Sequence, residues 1–192
     1  MIYCNQTKGG GGMHWNRKGR IYGLTMTAAA AAALCVIGPW AIPVGAVPLS
    51  LTLLAVYLTA FLLTPGQMVG AVGVYLLLGA VGLPVFSGFS GGLGVLAGPT
   101  GGYLVGYLPA GVLCALAARR KRGQRVAGMV LATAVVYLTG TAWYCLQSGV
   151  ALLPALAVCV LPFLPGDGVK LAAALVLGPV VRDRLDKAGL LR

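Results

Sequence analysis

Asp167 and Lys170 stand three residues apart in Pro165-Gly166-Asp167-Gly168-Val169-Lys170, in a chain with three acidic residues among 192. The apolar run from Val169 to Val181 that follows is interrupted by Lys170 alone. Residues three apart share a helix face, so carboxylate and ammonium can lie side by side. Asp167 can accept hydrogen bonds from N–H groups, and Lys170 can donate to a carbonyl or a carboxylate. Pro165 and Gly166 suit a chain entering a helix, with Asp167 placed to cap the first turn. Two readings follow. In one, Asp167 is only a cap and Lys170 snorkels to a membrane surface. In the other, the pair is a functional centre, because ionisable groups within membrane segments are costly and mark function.

The remaining polar inventory is thin. The one histidine, His14, lies in a basic N-terminal stretch without partners for a metal site. Cys4, Cys35, Cys114, Cys145 and Cys159 are scattered, with no metal-ligand spacing and no disulfide framework. Asp183 and Asp186 sit among Arg182, Arg184 and Lys187, which reads as a solvated surface. No phosphate-binding loop of the P-loop type is present. These absences leave no catalytic residues, no metal and no cofactor, and they argue against an enzyme. A proton relay through the Asp–Lys pair would make a small channel or carrier. The pair better suits a hydrogen-bonding anchor in an uncharged vestibule, for a small ligand with a polar head and an apolar body.

Long apolar stretches must position that pair. With 59% hydrophobic and 9% charged residues and a mean hydropathy of +0.92, the chain is far from the ~25% charged content of soluble domains. Its apolar runs, separated by Pro/Gly breaks, predict an all-α integral membrane protein of about six spans at roughly 20 residues each. The expected spans are 22–38, 49–63, 67–81, 101–118, 126–146 and 168–181. The segment 150–164, crowded by Pro154 and Pro162, is expected to be a re-entrant or lid-like helix. The net charge of +11 does not indicate nucleic acid. Its basic residues fall into blocks at Lys8–Arg20, Arg119–Arg125 and Arg182–Arg192, the pattern of cytoplasmic flanks. Both termini are therefore expected in the cytoplasm, with the uncharged loops outside. The domain division is a basic, Gly-rich tail over 1–21, a membrane domain over 22–182 and a short cytoplasmic tail over 183–192. Gly98, Gly102, Gly106 and Ala110 step by four residues, a surface for close helix contact within the bundle or between copies.

Four segments, in order, carry a resemblance: Ile42-Pro43 through Val47-Pro48-Leu49-Ser50-Leu51-Thr52; Tyr75 to Phe86; Gly98-Pro99-Thr100-Gly101-Gly102-Tyr103; and Pro162-Phe163-Leu164-Pro165-Gly166-Asp167 with Lys170. Together they resemble the BioY family, the biotin-binding S-components of energy-coupling factor (ECF) transporters, over residues 22–182.

The resemblance implies a six-helix S-component bundle in the cytoplasmic membrane that captures biotin from outside. Transport is then powered by a separate transmembrane coupling protein with two ABC ATPases. It maps the family's Asp-x-x-Lys pair onto Asp167 and Lys170, at the ureido head of biotin. Phe86, Ser87, Ser90, Thr100 and Tyr103 are expected to shape the other wall, with Thr52 at the mouth of the second span. The first helix of the family offers a small-residue face to the coupling protein. Ala28 with Ala32, or Ala29 with Ala33, matches that spacing. An S-component for another vitamin, or a scaffold pinned by the pair, are the competing readings.

Overall fold

The computed structural model describes residues 17–42 and 48–189. His14, Cys4, residues 43–47 and most of the expected N-terminal tail lie outside the described residues. The chain is mainly helical: α1 (Arg17–Ile37), α2 (Thr52–Ala60), α3 (Pro65–Ala80), α4 (Leu93–Ala97), α5 (Gly101–Ala118), α6 (Arg122–Ser148), α7 (Leu152–Cys159) and α8 (Leu164–Lys187). A two-stranded antiparallel hairpin, β1 (Ala41–Ile42) and β2 (Leu49–Ser50), precedes α2 and pairs Ala41 with Ser50.

Helices α5, α6 and α8 are long and apolar enough to cross a membrane, and the apolar parts of α1 and α3 are somewhat shorter. The expected span over 49–63 differs most. Its first residues pair with β1, which leaves α2 with 9 residues. At ~1.5 Å per residue that is about 14 Å, half the hydrocarbon thickness. A capping box ends the turn after it: Gln67 N–H donates to Thr64 Oγ1, and Thr64 N–H donates to Gln67 Oε1, starting α3 at Pro65. The segment 150–164 does not cross. It forms the 8-residue α7, held against α5 where Tyr103 Oη donates to the Cys159 carbonyl at 3.1 Å.

The core lies where the helices face one another. Leu34, Val56, Tyr57, Met68, Val72, Tyr75, Ala110, Cys114, Met129 and Ala132 are buried. Large apolar residues such as Leu77, Leu138, Val169 and Val176 are exposed on the outer faces. Helices apolar on both faces are the mark of a bundle that sits in lipid.

Close packing relies on missing side chains. A Cβ on Gly102 would strike Trp143 and the Thr139 carbonyl, one on Gly106 would strike Thr139, and one on Gly140 would strike the Tyr103 ring. Of the predicted stripe, Gly102 and Gly106 therefore pack between α5 and α6, whereas Gly98 ends α4 and lies outside α5. Helices α2 and α8 run side by side in the same direction. Leu49 packs on Gly166 at their start, and Phe61 fills the space beside Gly178 further along.

On α1, Ala30, Ala31 and Leu34 are buried, whereas Ala28, Ala29 and Ala32 are exposed and Ala33 is partly so. The alanine run is thus divided between an inner and an outer face. At the end of the bundle where α5 and α8 finish, Phe61, Ala118, Arg125, Arg182, Asp183 and Asp186 meet. Two of the sequence's basic blocks are gathered there. The Lys187 ammonium, 2.8 Å from Asp183, holds that exposed carboxyl below its usual range.

Candidate ligand-binding site

The site is built on the first turns of α8. Phe163 occupies the N-cap position without a side-chain bond, Pro165 fits the first turn, and the Asp167 N–H donates to the Phe163 carbonyl at 2.8 Å. Asp167 therefore lies within the helix and does not cap it. Its carboxylate is free to face inward, and both oxygens are engaged there. Lys170 Nζ donates to Oδ1 at 2.7 Å, and Tyr137 Oη of α6 donates to Oδ2 at 2.6 Å. Lys170 also donates to the Ser50 carbonyl at 2.7 Å.

Lys170 does not snorkel: it and Asp167 are each 7% exposed. A buried ion pair is tolerable only when its remaining lone pairs and protons find partners, and Tyr137 and Ser50 supply them. Of the three ammonium protons, two are committed, which leaves one donor. The carboxylate retains lone pairs for a ligand N–H. The centre is neutral overall, with one strong donor and one strong acceptor a few ångströms apart. It can read a planar group carrying both N–H and C=O.

The shortness of α2 makes room for this centre. β2 brings the chain to the level of Lys170 and then turns at Leu51, which presents a strand carbonyl where a longer helix would have used that group internally. A pocket with about 790 Å³ of free space, counting its open mouth, adjoins the pair. Ser50, Leu53, Tyr107, Phe163, Asp167 and Lys170 form its buried floor, and Pro48, Ser87, Ser90, Val95 and Thr100 its partly exposed rim.

The predicted wall residues Phe86, Ser87, Ser90, Thr100 and Tyr103 all line the pocket. Phe86 is held rigidly, edge-on to Tyr75 at 5.5 Å between centroids and over Gly79, where any side chain would collide with its ring. Ser87 and Ser90 belong to a tight loop. Phe86 N–H donates to the Ser90 carbonyl at 3.0 Å, and Ser90 Oγ donates to the Ser87 carbonyl at 2.9 Å. Tyr103 offers its ring, since its hydroxyl is spent on Cys159.

Thr52 lies outside the lining. It is buried, and its hydroxyl donates to the Gly38 carbonyl at 3.4 Å, which ties α2 to the end of α1. Sequence reasoning missed Tyr137, Tyr107 and the Ser50 carbonyl. A tyrosine in the apolar run Val135-Val136-Tyr137-Leu138 was the available signal, because a buried phenol needs a partner.

The described residues hold no cluster of His, Cys, Asp or Glu able to bind a metal. A profile described as the BioY family matches residues 13–187. The chain belongs to the BioY family. Among curated relatives, "Biotin transporter BioY" of Thermotoga maritima is 38% identical over 149 residues, covering 76% of this chain and 87% of the relative. "Probable biotin transporter BioY" of Pyrococcus horikoshii is 36% identical, covering 71% and 81%. "Biotin transporter BioY2" of Lactococcus lactis is 47% identical over a shorter match, 49% of this chain and 52% of that protein. Among solved structures, the S-component for biotin from an ECF-type ABC transporter superposes with a TM-score of 0.76 at 28% identity. That match covers 94% of this chain and all of the other. The superposition shows the S-component fold; six-span counting had taken 49–63, which holds the short α2, as a full crossing, and had already set 150–164 apart as a re-entrant or lid-like helix.

Proposed function

We propose that this chain is the biotin-capturing S-component of an ECF-type ABC transporter, a multi-pass protein of the cytoplasmic membrane. The observation that carries the reading is the neutral Asp167–Lys170–Tyr137 centre on the floor of an otherwise uncharged pocket, in a chain of the BioY family. A ureido ring carries N–H donors and a carbonyl acceptor in one plane. Asp167 accepts from its N–H groups, and the third Lys170 proton goes to its carbonyl. The apolar ring and tail then contact Phe86, Tyr103, Leu104 and Val136.

The end of the bundle rich in arginine faces the cytoplasm, in keeping with the positive-inside rule, so the pocket opens outward. Both termini are cytoplasmic in this arrangement, and six apolar helices form the membrane domain over 22–182. The outer alanine face of α1, Ala28, Ala29, Ala32 and Ala33, docks a transmembrane coupling protein. Energy comes from two ABC ATPases bound to that partner, and the chain itself catalyses no reaction.

Equilibrium biotin binding to the purified protein in detergent tests the reading, with Asp167→Asn and Lys170→Met alongside. Tight binding by the parent and loss in both variants is the expected result. A folded parent that ignores biotin but retains another vitamin would overturn the ligand. Binding untouched by either substitution would move the site away from α8.

A further inference from the structure

The ligand proposed above has two polar ends, a neutral ureido head and a carboxylate at the end of its alkyl tail. The protein has a counter-charge for neither. From Ile21 to Ala118 the sequence contains no Asp, Glu, Lys, Arg or His, and from Val126 to Gly166 again none. Among the described residues Lys170 is the one cation lining the pocket, and it is neutralised at 2.7 Å by Asp167.

A ligand carboxylate brought to that floor would put two negative charges beside one ammonium in a buried site. Like charges at close range disfavour this, and so does the loss of water around the added charge. The acid end is left with the rim of Ser87, Ser90 and Thr100, where the hydroxyls free to donate are those of Ser87 and Thr100, since Ser90 Oγ already donates to the Ser87 carbonyl. Hydroxyls donate to a carboxylate and, less strongly, to the carbonyl of an amide or ester; with no cation at the rim, the gain of the charge-assisted bond is offset by the greater cost of drying the carboxylate. All three rim residues are partly exposed, so a larger group attached at the acid end can extend outward.

We infer that this pocket reads the ureido head and is indifferent to the charge at the other end, so that it takes carboxyl-modified biotins, amides above all, as well as the free acid. The inference rests on the biotin reading of the same site. It extends the ligand class to biotin joined through an amide to an amine, such as the side chain of lysine. A reaction that cleaves biotin-bearing proteins into small pieces would supply such a ligand.

The test changes the ligand and leaves the protein intact. Affinities for biotin, biotinamide, biotinyl-lysine and 2-iminobiotin are measured by titration calorimetry on the purified full chain. Biotinamide and biotinyl-lysine are expected within tenfold of biotin. 2-Iminobiotin, whose protonated head brings a cation against Lys170, is expected to be weaker by more than a hundredfold. A loss of more than tenfold for biotinamide, with biotin itself bound tightly, overturns the inference and leaves the proposed function standing. Failure of biotin to bind at all removes both.

Discussion

Lys170→Met separates what the ion pair contributes to folding from what it contributes to binding. The substitution keeps the bulk of the side chain. It leaves the Asp167 carboxylate buried with only Tyr137 at 2.6 Å, and strips the Ser50 carbonyl of its 2.7 Å donor. Breaking a buried pair costs about 3–5 kcal/mol. The hydrogen bond that Tyr137 still gives places this variant near the low end, about 3 kcal/mol. For a protein of this size each kcal/mol moves Tm by roughly 2–4 °C, so the midpoint should fall by about 6–12 °C. Asp167→Asn should behave alike, since it leaves the buried ammonium with neutral acceptors only, the Ser50 carbonyl and the amide oxygen. The double variant removes both charges and should recover most of the loss, because a buried pair replaced as a unit is often neutral or stabilising. Its biotin affinity should stay abolished. Thermal unfolding followed by tryptophan fluorescence in detergent reads the first quantity and calorimetry the second. A double variant less stable than either single one would refute the charge argument. One that still binds biotin would refute the site.

Tyr137→Phe removes one charge-assisted bond to Asp167, worth about 1.5–3 kcal/mol. It should weaken biotin binding by roughly 10- to 100-fold, as calorimetry would record; unchanged affinity would mean that Lys170 alone orients the carboxylate. Gly102→Leu should unfold the α5–α6 pair or drop Tm sharply, since even a Cβ there meets Trp143 and the Thr139 backbone. Ala29→Trp, on the exposed face of α1, should leave biotin affinity intact yet abolish ATP-dependent uptake in vesicles reconstituted with the coupling module. Asp183→Asn breaks an exposed pair and should leave the melting curve unchanged.

The predicted membrane class, the helix over 101–118 and the Asp-x-x-Lys pair all followed from local pattern, because lipid forces long apolar helices and makes an embedded charge conspicuous. The resemblance brought in Phe86, Ser87, Ser90, Thr100 and Tyr103, and all five do line the pocket. What local pattern could not yield is whatever depends on distant strands of chain. The Ser50 carbonyl has no side-chain identity to betray it, and Tyr137 resembles any aromatic in an apolar run until Asp167 is seen beside it. Thr52 begins α2 just after the β2 strand, and its hydroxyl is directed to Gly38 rather than into the pocket. Hydropathy ran 49–63 together as one span because a strand followed by a short helix is as apolar as a long helix.

The contact between Ser50 and Lys170 spans 120 residues. A ribosome adding about 5–20 residues per second delivers Lys170 roughly 6–24 s after Ser50. Through that interval α2, too short to cross the bilayer, waits beside its neighbours without the helix it will run along. The floor of the pocket is thus among the later parts of the molecule to be completed. A chain halted anywhere before α8 lacks the Asp167–Lys170 pair and the partner that its Ser50 carbonyl will accept from.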